Sequence, residues 1–398
     1  MLLGSGSGSA CSADRRGAAM KDEASARVAL VAAWRLAGEG GAACPGPAAP
    51  VAAGPAAGTA ACSRRRPCEP REPRKLRELP GRPTRDVGAV RQRWESLLRD
   101  SSSECGEVEA QLAACGGSLR RAALAVLQEG RPRVKAALSL SAARAFLELG
   151  TLSAADEGGL EAPPATPARD CVRTVAPKDV ARRGGAGSQE NRVRMVHALA
   201  HIESVAIDLS WDMVARFGFP ASSPDGLAWP EQFLRDWVEV ALEESIHHLL
   251  WEQRLLELGS WYGALPTHSG LWDSAWATRD SALERLVVEH CVLEARGLDV
   301  CPQSFRKFLD AGDETSAGIL EAIYAEEISH VEKGLRWLAF QVERQQLAGL
   351  EARSAVQVFH DIVDAKLRGT IKPPFNDTAR ALAGMDRAFY VRQLAQPS

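Results

Sequence analysis

The sequence predicts an all-α protein built around a four-helix bundle, and three observations carry that expectation. Four stretches between residues 186 and 392 repeat apolar residues at the 3.6-residue period of a helix, each with a carboxylate on its apolar stripe. Hydrophobic residues make up 45% of the 398 residues, with many Ala and Leu and few β-branched runs, which favours helices over strands. No apolar run approaches the roughly 18 residues of a membrane span, so no membrane partner is expected.

Taken in order, residues 1–86 are the first segment. The run "PGPAAPVAAGPAAGTAACSRRRPCEPREPRKLRELPGRPTR" is Pro, Gly, Ala and Arg with little to pack, so a disordered low-complexity extension is expected. Residues 1–90 hold 14 Lys and Arg against 8 Asp and Glu, and the rest of the chain 34 against 43, so a basic tail precedes an acidic body. A solvated extension is the simpler reading of the Arg cluster; nucleic-acid contact and targeting are the alternatives. Asp14, Asp22 and Glu23 argue against a transit peptide, which is poor in acids.

Residues 87–185 read as a covering segment for one side of the bundle. Amphipathic helices are expected at "VGAVRQRWESLLRD", "SLRRAALAVLQEG" and "SAARAFLELGTLSAA", the last capped by Ser141. The Pro-punctuated stretch "EAPPATPARDCVRTVAPKDVARRGGAGSQ" then reads as an extended approach.

The bundle itself is expected over 186–392. Its first helix starts near Glu190 and aligns Val196, Leu199, Ala200, Glu203, Ala206 and Ile207. The second aligns Trp237, Val240, Ala241, Glu244, His247, Trp251 and Leu255. A long crossover from Gly259 to about Thr278 follows, with Trp261, Tyr262, Trp272, Trp276 and His268; packing the crossover down is the simpler reading, walling a substrate pocket the alternative. The third helix aligns Leu283, Val287, Cys291, Glu294 and Leu298, and the fourth Leu320, Ile323, Tyr324, Glu327, Val331, Gly334, Leu335 and Leu338, with His330 at the stripe's edge.

A charge on a buried face costs several kcal/mol unless it is partnered. A metal ion partners carboxylates and imidazoles together. Along the chain the motifs run Glu203, then Glu244-x-x-His247, then Glu294, then Glu327-x-x-His330. That order is the ligand arrangement of the ferritin-like di-iron and di-manganese bundles. Hard carboxylates neutralise two divalent ions there, and neutral imidazoles complete each site while leaving positions open for oxygen or water. Two iron ions are the expected cofactor, with manganese as the alternative.

The runs "HALAHIESVAIDL", "DWVEVALEESIHHLLWEQRLLELGSWYG", "LEARGLDVCP" and "ILEAIYAEEISHVEKGLRW" resemble those of the ferritin-like family called domain of unknown function 455. The similarity spans roughly residues 140 to 390. The resemblance implies a ferritin-like bundle with a long crossover and a dinuclear site held by Glu203, Glu244, His247, Glu294, Glu327 and His330. It implies no substrate.

Neighbouring residues are weighed against that set. His201 points about 160° from Glu203 on a helix, and with His197 reads as structural. His290 lies one turn before Glu294 and reads as a core histidine within reach of the site. Glu243 and Glu326, each preceding a ligand Glu, are expected to face away into ion pairs or solvent. Tyr324, one turn before Glu327, is the candidate catalytic residue, as a hydrogen-bond donor or redox partner, with plain packing as the alternative.

Two function classes follow. The first is an oxygen-dependent di-iron oxidoreductase acting on an unknown small organic molecule with O2; the second is a non-enzymatic metal-binding or iron-handling bundle. The acidic body argues against nucleic acid as a partner, including the modified tRNA that some ferritin-like enzymes hydroxylate. A homodimer is compatible with the sequence. Nine scattered cysteines without a Cys-x-x-Cys suggest a reducing compartment, cytoplasmic first and mitochondrial second.

Overall fold

The computed structural model describes residues 102–155, 161–181, 184–220, 228–367 and 369–394. The disorder expected over 1–86 and the helix expected at "VGAVRQRWESLLRD" lie outside them. Among the described residues the chain is all-helical. There is no strand, only isolated bridges pairing Ser118 with Ser153 and Thr174 with Thr267.

Three helices come first: α1 (Ser102–Ala114), α2 (Leu119–Gln128) and α3 (Pro132–Leu147). Ser118 caps α2 by accepting from the Arg121 amide. The expected cap at Ser141 is corrected: α3 runs straight through that position. It starts at Pro132, whose ring fixes φ for a first turn and whose missing N–H is not needed there.

The long elements follow. Helix α4 (Gln189–Asp212) is capped by Ser188 and widens into a π-helical turn at Met213–Phe217. Helix α5 (Glu231–Glu257) comes next. The crossover is not bare loop, since it holds α6 (Gly270–Ala277). Then one helical run combines α7 (Ala282–Arg285), a π-helical segment Leu286–Leu293 and α8 (Glu294–Asp310). Helix α9 (Glu314–Leu347), capped by Asp313, is the longest described. The short α10 (Ala355–Lys366) and α11 (Asp377–Leu382) close the chain against α8, α9 and the π segment. No helix among the described residues is long and apolar enough to cross a membrane.

Helix α5 packs between α4 on one side and α9 on another, and α9 packs in turn along the π segment and α8. Helix α3 lies along α5, and α2 touches α3 and α4, so these N-terminal helices share one apolar core with α4 and α5. Trp211, Phe217, Phe233 and Trp237 are fully buried in that core.

Two buried ion clusters fix α4 to its neighbours. Asp208 receives Lys135 of α3 at 2.6 Å and also Arg169. Asp212 receives Arg216 at 2.8 Å and Arg285 at 2.6 Å. All of these side chains except Arg169 are at least nine-tenths buried, so each carboxylate depends on its partners.

The crossover aromatics mostly pack, as the simpler reading had it. Trp272 is buried against Val205 and Leu209 and donates to the Ala165 carbonyl at 2.8 Å, and Tyr262 is buried beside His197, His201 and His248. Trp276 takes the Arg279 guanidinium over its ring, while Trp261 is exposed. His268 instead borders a cavity next to the site described below.

Candidate metal centre

Helix α4 brings Glu203, α5 brings Glu244 and His247, the π-to-α8 junction brings Glu294, and α9 brings Glu327 and His330. One ligand atom from each of Glu203, Glu244, His247 and Glu327 lies within 4.8 Å of the others, a group that can hold a metal ion. The His330 Nδ1 adjoins the same carboxylates, 3.0 Å from Glu244 Oε1 and 3.4 Å from Glu327 Oε2.

The oxygens are divided between the two imidazoles. His247 Nδ1 faces Glu244 Oε2 at 3.4 Å and Glu327 Oε1 at 3.6 Å, whereas His330 Nδ1 faces the other oxygen of each. Glu203 stands on the His247 side, with Oε2 at 3.7 Å from that Nδ1. Glu294 lies outside that four-residue group but borders the same cavity as Glu203, Glu244 and Glu327. The imidazole centroids are 6.0 Å apart.

Side chains so close and so buried need a reason to stay. Glu244 Oε2, His247 Nδ1 and His330 Nδ1 are buried without a partner in hydrogen-bonding geometry, although oxygens or nitrogens lie 3.0–3.7 Å away. Adjacent ligands of an octahedral ion with bonds of about 2.1 Å sit about 3.0 Å apart, so these are the spacings of atoms aimed at a shared ion. Four carboxylates with two imidazoles are also a donor set that suits iron or manganese. The residues fit a metal.

The electrostatics agree. Burial, aided by the Glu244 charge, holds the Glu203 carboxyl well above the usual carboxylate range, and burial beside Glu327 and Glu244 does the same to Glu294. For Glu244 burial acts upward, yet the His247 and His330 imidazoles outweigh it and pull its carboxyl below the normal range. Burial works against protonation of both imidazoles, but the surrounding carboxylates prevail and raise His247 and His330 well above an ordinary histidine.

The far ring nitrogens reveal what motif reading missed. His247 Nε2 bonds Glu326 Oε2 of α9 at 2.8 Å, and His330 Nε2 bonds Glu243 Oε2 of α5 at 2.8 Å. The residue before each ligand Glu therefore serves the histidine of the opposite helix. Glu243 and Glu326 are thus in ion pairs, as expected, and their partners are the histidines of the opposite helix. Lys333 continues from Glu243 toward Glu239 on the surface. The available signal was the doubled Glu in "EESIH" and "EEISH".

Other expected residues find other places. His197 Nε2 accepts from the Gly263 and Leu265 amides, and His201 pairs with the Tyr262 hydroxyl and the His268 carbonyl, so both hold the crossover. His290 is buried against Trp237, and burial keeps it neutral. Its backbone explains Gly334: a Cβ there would stand 2.6 Å from the His290 carbonyl oxygen, so only glycine lets α9 lie this close to the π segment. Tyr324 is buried; its hydroxyl accepts from Asn376 Nδ2 at 2.8 Å, a partner on the C-terminal segment rather than a ligand carboxylate.

A cavity of about 390 Å³ opens beside the carboxylates, between α4 and α8. Glu203, Glu244, Glu294 and Glu327 border it, with walls from Leu199, Ile202, Leu298 and Ile323 and from the crossover at Leu265–His268. Tyr324 and Glu289 also border it. That volume lies within the range of small-molecule pockets.

Comparison with known proteins adds a family but no activity. The family described as "Protein of unknown function (DUF455)" matches residues 128–391. A Haemophilus influenzae protein described as uncharacterized is 37% identical over 212 residues, covering 53% of this chain and 70% of its own. No solved structure matches.

Proposed function

The chain belongs to the DUF455 family, and from that premise we propose that it is a ferritin-like di-iron carboxylate protein acting as an oxygen-dependent oxidoreductase on a small organic substrate. In this reading residues 186–392 form the bundle, and the helices between residues 102 and 147 cover one side of it. The observation that carries the proposal is the division of Glu244 and Glu327 between His247 and His330, each carboxylate offering one oxygen to either side. Two divalent ions would be held by Glu244 and Glu327 in common, with Glu203 and His247 on one side and Glu294 and His330 on the other.

A bound pair of iron(II) ions would supply the electrons that reduce oxygen. The chain's own side chains prepare the place. Glu326 and Glu243 accept the Nε2 protons and so leave the Nδ1 lone pairs of His247 and His330 facing inward. Leu199, Leu298 and Ile323 offer an apolar wall to an organic molecule. Tyr324 stands in that wall, where a hydroxyl held by Asn376 can orient a substrate. The presence of a cavity against the carboxylates favours this reading over a purely structural metal, which needs none.

The test is metal analysis of the full chain, then stopped-flow absorbance of its iron(II) form mixed with oxygen. Two irons per chain and reaction within seconds are expected. His330→Ala should retain one ion and Glu327→Ala should weaken both, and each should abolish the reaction. Wild-type protein that holds two irons yet stays inert to oxygen, with variants altered only in melting temperature, would favour a structural or iron-handling centre instead.

A further inference from the structure

Two rows of side chains, each spaced one helical turn apart, edge the cavity between α4 and α8. On α4 the row is Arg194, Ala198 and Ile202, and on α8 it is Arg296, Val300 and Ser304; all six border the cavity. Ile202 is 39% exposed and Val300 37%, whereas Glu203 and Glu244 of the metal centre are 5% and 1% exposed. The rows are therefore the rim of the cavity and the carboxylates its floor.

Each row starts with an arginine, and the two differ in how their charge is met. Arg194 is matched by an acid, since it pairs with Glu190 one turn before it, and it also donates to Asn191 Oδ1 at 3.3 Å. Arg296 is not matched. Its Nη1 donates to the Lys372 and Pro374 carbonyls, both at 3.1 Å and both neutral. The acid beside it, Asp299, is 3.5 Å from Nη1 and already belongs to Arg380, which donates Nε to Oδ1 at 2.9 Å and Nη2 to Oδ2 at 2.7 Å. Among the described residues, Nε and Nη2 of Arg296 have no acceptor. This residue thus brings one uncompensated positive charge and two unused donors to the rim. Much of the remaining wall is aliphatic, from Leu199, Leu298, Leu320 and Ile323.

We propose that the cavity takes an aliphatic carboxylate, its chain against those four side chains and its carboxylate on Arg296 at the rim. The two oxygens of a carboxylate match the Nε–Nη2 edge of a guanidinium, the edge that the Lys372 and Pro374 carbonyls leave unused. A single unmatched charge suits a monoanion, and an alcohol of the same length brings an acceptor without the charge. The proposal deepens the oxidoreductase reading by naming its substrate class, and it rests on that reading only for what happens to the bound molecule.

The test needs no turnover. The full chain, with its metal content measured, is titrated calorimetrically with n-octanoate and with n-octanol at about pH 7.5, before and after treatment with a chelator. Octanoate should bind at least about fivefold more tightly than octanol, the margin of one charge-assisted contact at a partly exposed site, and should do so with or without metal. Arg296→Gln should erase that margin, and Arg194→Gln should leave it. Equal binding of the two compounds by the wild type, or binding of neither, overturns the proposal without any variant being needed. So does a folded Arg296→Gln protein that keeps the preference, and so does a preference lost on chelation, since the metal would then be the anchor. Failure of the metal reading shows separately, as protein without iron or manganese.

Discussion

His247 and Glu326, on different helices, meet through Nε2 and Oε2 at 2.8 Å, and the same relation returns in the opposite direction between His330 and Glu243. Each Glu-Glu-x-x-His word thus supplies a facing carboxylate for itself and an outer carboxylate for its counterpart. Neither helix holds a complete half-site, so the pairing of α5 with α9 and the shape of the centre are one constraint.

Removing the outer carboxylates should loosen the metal without dismantling the fold. Glu326→Gln and Glu243→Gln are each expected to lower affinity by about 10–100-fold, because an amide no longer fixes the imidazole tautomer or strengthens its basicity. Competition against a chelator of known affinity measures this. Unchanged affinity in both variants would make the contacts incidental.

Proton release should accompany metal uptake. Glu203, Glu294, His247 and His330 all hold protons more tightly in the fold than in the unfolded chain. Metal-free protein should therefore lose stability as pH rises, above about 4.5 for the two carboxyls and above about 6.5 for the imidazoles. A divalent ion requires those groups deprotonated, so binding should tighten over the same range. Calorimetry in buffers of different ionisation enthalpy counts the released protons, and a heat independent of buffer would contradict the expectation.

Gly334→Ala should be destabilising by about 1–3 kcal/mol, since the new Cβ meets the backbone oxygen of His290 rather than a side chain that can swing away. It should also weaken metal binding, because α9 carries Glu327 and His330. Thermal melts with and without metal separate the two effects. Gly318, on the same helix with open space around its Cβ position, is the control: Gly318→Ala should be neutral or mildly stabilising.

Lys135→Met should cost about 3–5 kcal/mol, because it strips one of two cations from a fully buried Asp208. Lys135→Met with Asp208→Asn should recover part of that loss. Urea denaturation at neutral pH gives both numbers, and additive losses would show that the pair is not coupled.

How far the site is legible in the sequence depends on the physics of each residue. Glu203, Glu244, His247 and Glu327 can be read because each interrupts an apolar stripe, where a charge is expensive and so must have a purpose. The all-helical class is legible from the same periodicity. Glu243 and Glu326 are not, since their roles depend on which helix faces which, and on periodicity alone they lie off the apolar face. The start of α3 at Pro132 rather than Ser141 is decided by a continuous buried face shared with α5, a tertiary fact. Glu289 lies in a run whose period is not that of an α-helix, so an α-helical wheel assigns it the wrong direction.

That last run, the π-helical turns of Leu286–Leu293, makes the third long helix two independently phased pieces. Its beginning is keyed by Arg285 to Asp212 and its end presents Glu294 to the site. Deleting a single residue between them would let the segment relax to ordinary α-helix and swing one end against the other by up to about 100°. Such a deletion would either pull Arg285 off its carboxylate or turn Glu294 away from the cavity it borders with Glu203, Glu244 and Glu327. In this chain a one-residue change of length within 286–293 is more damaging than most substitutions there, and the helix works less like a rod than like a crankshaft whose two throws must keep their angle.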